Sequence, residues 1–97
     1  MRTSCVSIET QAEKPRIPSF TKTARYRIPY ELTATLLREI KDARRVSLTP
    51  QMLDYLEYSR STGRTFILEV RQSTTLTQEM QRLVDEGQIQ LRRTLPG

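Results

Sequence analysis

The stretch from Thr49 to Arg71 constrains this chain most, because a helix start, a helix stop and a strand follow one another there without a gap. Thr49 can cap a helix, and Pro50 suits the first helical position, where no amide hydrogen bond is required. Met52, Leu53, Tyr55 and Leu56 recur at helical spacing, and Gly63 supplies a left-handed stop. Thr65 to Arg71 then alternates as a strand, with Phe66, Leu68 and Val70 on one side.

Similar signals extend the pattern in both directions. A second helix is predicted from about Gln78 to Glu86, capped by Thr77 and stopped by Gly87, with Met80, Leu83 and Val84 facing inward. Gln88 to Thr94 closes the chain as a strand carrying Ile89 and Leu91. Upstream, Ala24 to Pro29 reads as a short strand around Tyr26 and Ile28, Thr35 to Lys41 as its partner, and Tyr30 to Thr33 as the hairpin connection. Residues 1–23 show no sustained period, and Pro15, Pro18 and many Ser and Thr residues make them an irregular N-terminal arm. Residues 24–97 are left as the folded domain. The order strand, strand, helix, strand, helix, strand joins a hairpin to helical crossovers and predicts an α/β domain with a mixed sheet.

With 97 residues there is room for one small domain with a thin core. Cys5 is the single cysteine and histidine is absent, which excludes an internal disulfide and a Cys/His zinc site; Cys5 reads as an inert thiol. No apolar run is long enough to span a membrane, and the start lacks the apolar stretch of a signal peptide, so the chain reads as a soluble protein of a reducing interior. Charge is uneven. Between Lys22 and Arg45 seven basic residues face three acidic ones, which concentrates most of the net +5 in one quarter of the chain. Lys22, Arg25, Arg27, Arg44 and Arg45 suit a polyanion such as DNA or RNA; the same charges also suit a merely solvated face.

Glu39 and Lys41 stand two apart on the second strand, so both leave one face while Ile40 leaves the other. A carboxylate beside an ammonium fits phosphodiester hydrolysis: Glu39 can hold a hard cation such as Mg²⁺, with the Ile40 carbonyl as a further oxygen, and Lys41 can offset charge on the phosphoryl oxygens. Alone, Glu-x-Lys is equally an exposed ion pair. On the following helix Gln51 and Tyr55 lie one above the other at i and i+4. Core packing for Tyr55 and a surface place for Gln51 are the plainer alternatives.

From about Lys14 to Gly97, the segments "RYRIP", "LREIK", "SLTPQMLDYLEYSRSTGRTFILEVR", "STTLTQEMQRLVDEGQI" and "LPG" resemble the restriction-endonuclease-fold toxin domains of bacterial polymorphic toxin systems, within the PD-(D/E)xK nuclease superfamily. The resemblance implies a small restriction-endonuclease-like fold and a nuclease toxin using Mg²⁺ or Mn²⁺. Glu39 would then be the metal ligand, Lys41 the catalytic cation, and Gln51 and Tyr55 supporting groups. It further implies DNA or RNA as substrate, a cognate immunity protein, and export within a larger effector toward a target-cell cytoplasm. Three departures weaken the metal site: Tyr30 stands where such domains place an aspartate after Ile-Pro, Asp42 stands where they place Asn, and Met1 to Glu13 replaces a leading helix that normally supplies an acid. Glu9 or Glu13 can substitute for that acid. Glu31 is the nearest replacement for the missing aspartate, provided that a bulge or turn at Pro29 re-aims it; a straight strand points it away. The expectation is a weakened or silent nuclease, with a non-catalytic module that binds nucleic acid or an immunity protein as the alternative.

Overall fold

The computed structural model describes residues 15–97. Cys5, Glu9, Glu13 and the expected replacement of the leading helix by Met1 to Glu13 lie outside the described residues. The helix begins where its signals put it: α1 (Pro50–Thr62) starts with the Thr49 hydroxyl accepting a hydrogen bond from the Met52 amide at 3.3 Å. It stops at Gly63, whose φ of 73° is left-handed, and the Gly63 and Arg64 amides donate to the Arg60 and Ser59 carbonyls. A Cβ is disfavoured at that φ, and the chain reverses there directly into the next strand, Thr65–Arg71.

We number the strands β1 (Ile17–Pro18), β2 (Tyr26–Arg27), β3 (Glu31–Leu32), β4 (Leu36–Lys41), β5 (Arg45–Val46), β6 (Thr65–Arg71), β7 (Thr75–Leu76) and β8 (Gln90–Leu95); the second helix is α2 (Gln78–Asp85). The main sheet runs β3-β4-β6-β8, with β3 antiparallel to β4, and β6 parallel to both β4 and β8. Helices α1 and α2 form the two crossovers, so the α/β class and the mixed sheet are as anticipated. Two small additions were not: β1 pairs antiparallel with β2, and β5 pairs parallel with β7.

Leu37 of β4 lies in register with Phe66 of β6, and Leu68 and Val70 extend the same apolar face. Against it pack Met52, Tyr55 and Leu56, and the Tyr55 ring meets Phe66 edge-on at 6.1 Å. Met80, Ile89 and Val46 join this core. Each fully buried apolar side chain of this kind contributes about 1.5–3 kcal/mol. Leu53, counted among the helically spaced residues, instead faces solvent, and the buried polar Asp54 and Ser59 lie on the inner side.

The N-terminal part departs most from expectation. The partner of β4 is Glu31–Leu32, not Ala24–Pro29, and the hairpin turns at residues 33–35, where the Thr33 hydroxyl accepts from the Thr35 and Leu36 amides. Pro29 has no amide to donate, and the Tyr30 amide is taken by Glu39, so regular pairing cannot pass through this point. Within the expected arm, Ile17 is 1% exposed and belongs to the core, and residues 17–27 form a strap across α1.

Candidate functional site

Alternation along β4 places Leu37, Glu39 and Lys41 on the core face of the sheet and Arg38 and Ile40 on the other. Leu37 closes the floor, Glu39 is 9% exposed, and Lys41 ends the strand. Because β4 feeds α1 in a parallel crossover, the end of β4 and the start of α1 lie at the same end of the sheet. There the Lys41 ammonium donates to Gln51 Oε1 at 2.6 Å. Gln51 Nε2 contacts the Tyr55 hydroxyl at 3.4 Å, and that hydroxyl donates to the Ile28 carbonyl at 3.1 Å. Two residues on, the Tyr30 amide donates to Glu39 Oε1 at 3.0 Å. Thus Glu39, Lys41, Gln51 and Tyr55 converge with the Ile28-Pro29-Tyr30 segment.

Electrostatics follow from this enclosure. Burial pushes the Glu39 carboxyl above its ordinary value, with the Tyr30 amide and the Lys41 charge pulling partly the other way. Burial, and then the charge on Glu39, pushes the Tyr55 phenol up to about 12, so it remains a proton donor toward Ile28 at neutral pH.

Glu31 does not join this group. Opposite Arg38 in the β3–β4 register, it pairs with that guanidinium at 2.7 Å on the far face of the sheet, where Arg38 also holds Glu69 at 3.0 Å. The chain bends at Tyr30, but the bend leaves Glu31 with Arg38. Tyr30 itself is 61% exposed, with its ring 4.7 Å from the Arg38 guanidinium. Asp42 pairs with Arg71. Glu39 lies on the same face of β4 as Lys41 and feels its charge, and among the described residues no cluster of three or more potential metal-ligating side chains forms. A divalent cation needs more oxygen donors than this set supplies.

Of the five cations expected to meet nucleic acid, Arg27 and Arg45 line a cleft of about 520 Å³ together with Lys41 and Gln51, while Lys22, Arg25 and Arg44 are exposed outside its lining. Sequence reasoning missed Asp54, which fixes Arg27. This fully buried carboxylate accepts from Ser19 Oγ (2.6 Å), the Thr21 amide (2.8 Å), Thr21 Oγ1 (3.2 Å) and Arg27 Nε (2.9 Å). Burial alone would raise its pKa, but the hydrogen bonds from Ser19, Arg27 and Thr21 outweigh it and hold the carboxyl at about 2. An acid between the inward-facing Met52 and Tyr55 was the available signal.

No helix among the described residues is long and apolar enough to cross a membrane. A family model described as restriction endonuclease fold toxin 7 matches residues 3–80. No curated protein and no solved structure matches the chain.

Proposed function

The chain belongs to the restriction endonuclease fold toxin 7 family, and from that premise we propose that it is a nuclease-type toxin domain acting on phosphodiesters of DNA or RNA through Glu39, Lys41, Gln51 and Tyr55. Its α/β domain with a mixed sheet has the restriction-endonuclease-like fold. The observation that carries the reading is the relay from Lys41 through Gln51 and Tyr55 to the Ile28 carbonyl, next to Glu39. It fixes an ammonium at the open end of β4, where a phosphoryl oxygen gaining charge would be stabilised. Glu39, with its proton affinity raised by burial, is suited to accept a proton from an attacking water. Tyr55 and Gln51 position Lys41 and exchange no proton with substrate.

Divalent cations supply Lewis-acid chemistry in nucleases of this fold, but the donors among the described residues fall short of a cation site. Slow or silent catalysis is the consequence. The same shortfall supports a second reading, in which the domain binds nucleic acid without cutting it. An acidic immunity protein covering the basic end around Lys41, and delivery into a bacterial target cell as part of a larger effector, complete the proposal.

The test is cleavage of mixed DNA and RNA with Mg²⁺ or Mn²⁺, comparing the unaltered chain with Glu39→Ala, Lys41→Ala and Tyr30→Asp. Tyr30→Asp puts a carboxylate on the residue whose amide meets Glu39; turned from Arg38 toward Glu39 by the incoming cation, it is expected to raise cleavage at least about tenfold, and adding Lys41→Ala or Glu39→Ala to it should abolish the gain. Strong cleavage that survives Lys41→Ala would refute the site. Binding without cleavage in every variant would favour the second reading.

A further inference from the structure

The cleft beside Lys41 has a composition unlike the rest of the basic surface. Arg27, Lys41 and Arg45 line it with the hydroxyls of Ser47 and Thr49, and no carboxylate is found among its described lining residues. It lies at the start of α1, whose 13 residues direct the positive end of their dipole there. Arg27 is already fixed: Nε rests on Asp54 at 2.9 Å and Nη2 on Thr23 Oγ1 at 2.7 Å, so little further ordering is required when an anion arrives. The accessible apolar part of the lining is Ala43 and Pro50, over the core residues Val46 and Met52.

From this juxtaposition we propose that the cleft is a subsite for one unpaired nucleotide, its phosphate held by Arg27, Lys41 and Arg45 and its base or sugar laid against Ala43 and Pro50, so that the chain selects single-stranded nucleic acid. A volume of about 520 Å³ suits a group of nucleotide size and is far too small for a duplex. In a duplex the phosphates face outward and the bases are stacked away from them. A recess that offers cations and an apolar wall together is filled by a nucleotide only once its base has left the stack. Lys41 and Gln51 line this cleft and also belong to the relay, which puts the occupant next to Glu39. The inference rests on the proposed function for the identity of the polyanion, but not on catalysis.

Fluorescence anisotropy in EDTA, where no metal-dependent cleavage interferes, tests it with a labelled eight-nucleotide single strand of DNA or RNA and the corresponding duplex. The single strand should bind at least about tenfold more tightly than the duplex. With one phosphate neutralised at the subsite, its affinity should fall only about threefold between 50 and 200 mM salt. Arg45→Glu should weaken it by about tenfold or more, whereas Arg82→Glu, at an exposed position of α2, should change it by less than about threefold. Ser47→Trp, which fills the cleft and keeps every cation, should give the same loss as Arg45→Glu. Equal binding of duplex and single strand, or equal losses in Arg45→Glu and Arg82→Glu, overturns the subsite in favour of a diffuse basic surface. Displacement of the oligonucleotide by poly-glutamate at equal charge concentration overturns the nucleotide assignment and points to an acidic protein segment. Arg45-dependent single-strand binding in a chain that never cleaves upholds the subsite and counts against the nuclease reading alone.

Discussion

Asp54 and Glu39 are both buried carboxylates, yet they act on stability in opposite senses. The Asp54 carboxyl, at about 2, lies below its value in the unfolded chain, so between those values the unfolded state binds more protons and stability rises with pH. Its contribution, about 2 kcal/mol, should be complete above pH ~4 and lost progressively toward pH ~2. Urea denaturation at pH 6 and pH 3 measures this, and Asp54→Asn should remove the dependence on acid. Asp54→Ala, which strands Arg27, should cost about 3 kcal/mol at neutral pH. Glu39 has the reverse sign: its carboxyl is raised on folding, so its charge weakens the fold as pH rises from the ordinary carboxylate value upward. Glu39→Gln keeps an acceptor for the Tyr30 amide and should be more stable than the unaltered chain at pH 7, while losing whatever cleavage the chain has. A variant both less stable and less active would show that the carboxylate holds the fold together.

At the level of elements, what the sequence made legible was what a single element encodes. The cap at Thr49, the stop at Gly63 and the alternation of Phe66, Leu68 and Val70 are local signals, and α1 and β6 form within those limits. The pairs Glu39/Lys41 and Gln51/Tyr55 were likewise readable, each from the period of its own element. Joining them across the β4–α1 crossover needed only the rule that a strand end meets the start of the helix it feeds. Glu31 was not readable, because the bend at Pro29-Tyr30 resets the alternation on which its direction depends. The Asp54 latch escaped for a different reason: its partners lie 27 to 35 residues away and present only ordinary Ser, Thr and Arg in sequence. Thr49→Ala should cost about 1 kcal/mol through loss of the cap. Gly63→Ala should cost a similar amount, about 1 kcal/mol, because of its left-handed φ rather than any clash, since open space surrounds the position. Thermal melting of the two variants checks both.

For the molecule as a whole, the net charge of +5 governs encounter more than architecture. An acidic partner should associate faster at low ionic strength, with an on-rate that drops as salt rises while dissociation changes little; stopped-flow mixing at several salt concentrations reads this directly. The sheet edges carry little risk of joining other sheets, since β3 is two residues long and β8 exposes Arg92 and Arg93. The strap across α1 has a further consequence, for the order in which the protein becomes competent. Helix α1 and its following strand can form early from near neighbours, but Arg27 and the Ile28 carbonyl reach their places only when loops of 27 residues close onto Asp54 and Tyr55. A chain entering a compartment unfolded would regain its helices first and its complete site last. Until that closure the site proposed for it would be incomplete, a built-in delay between folding of the helices and competence.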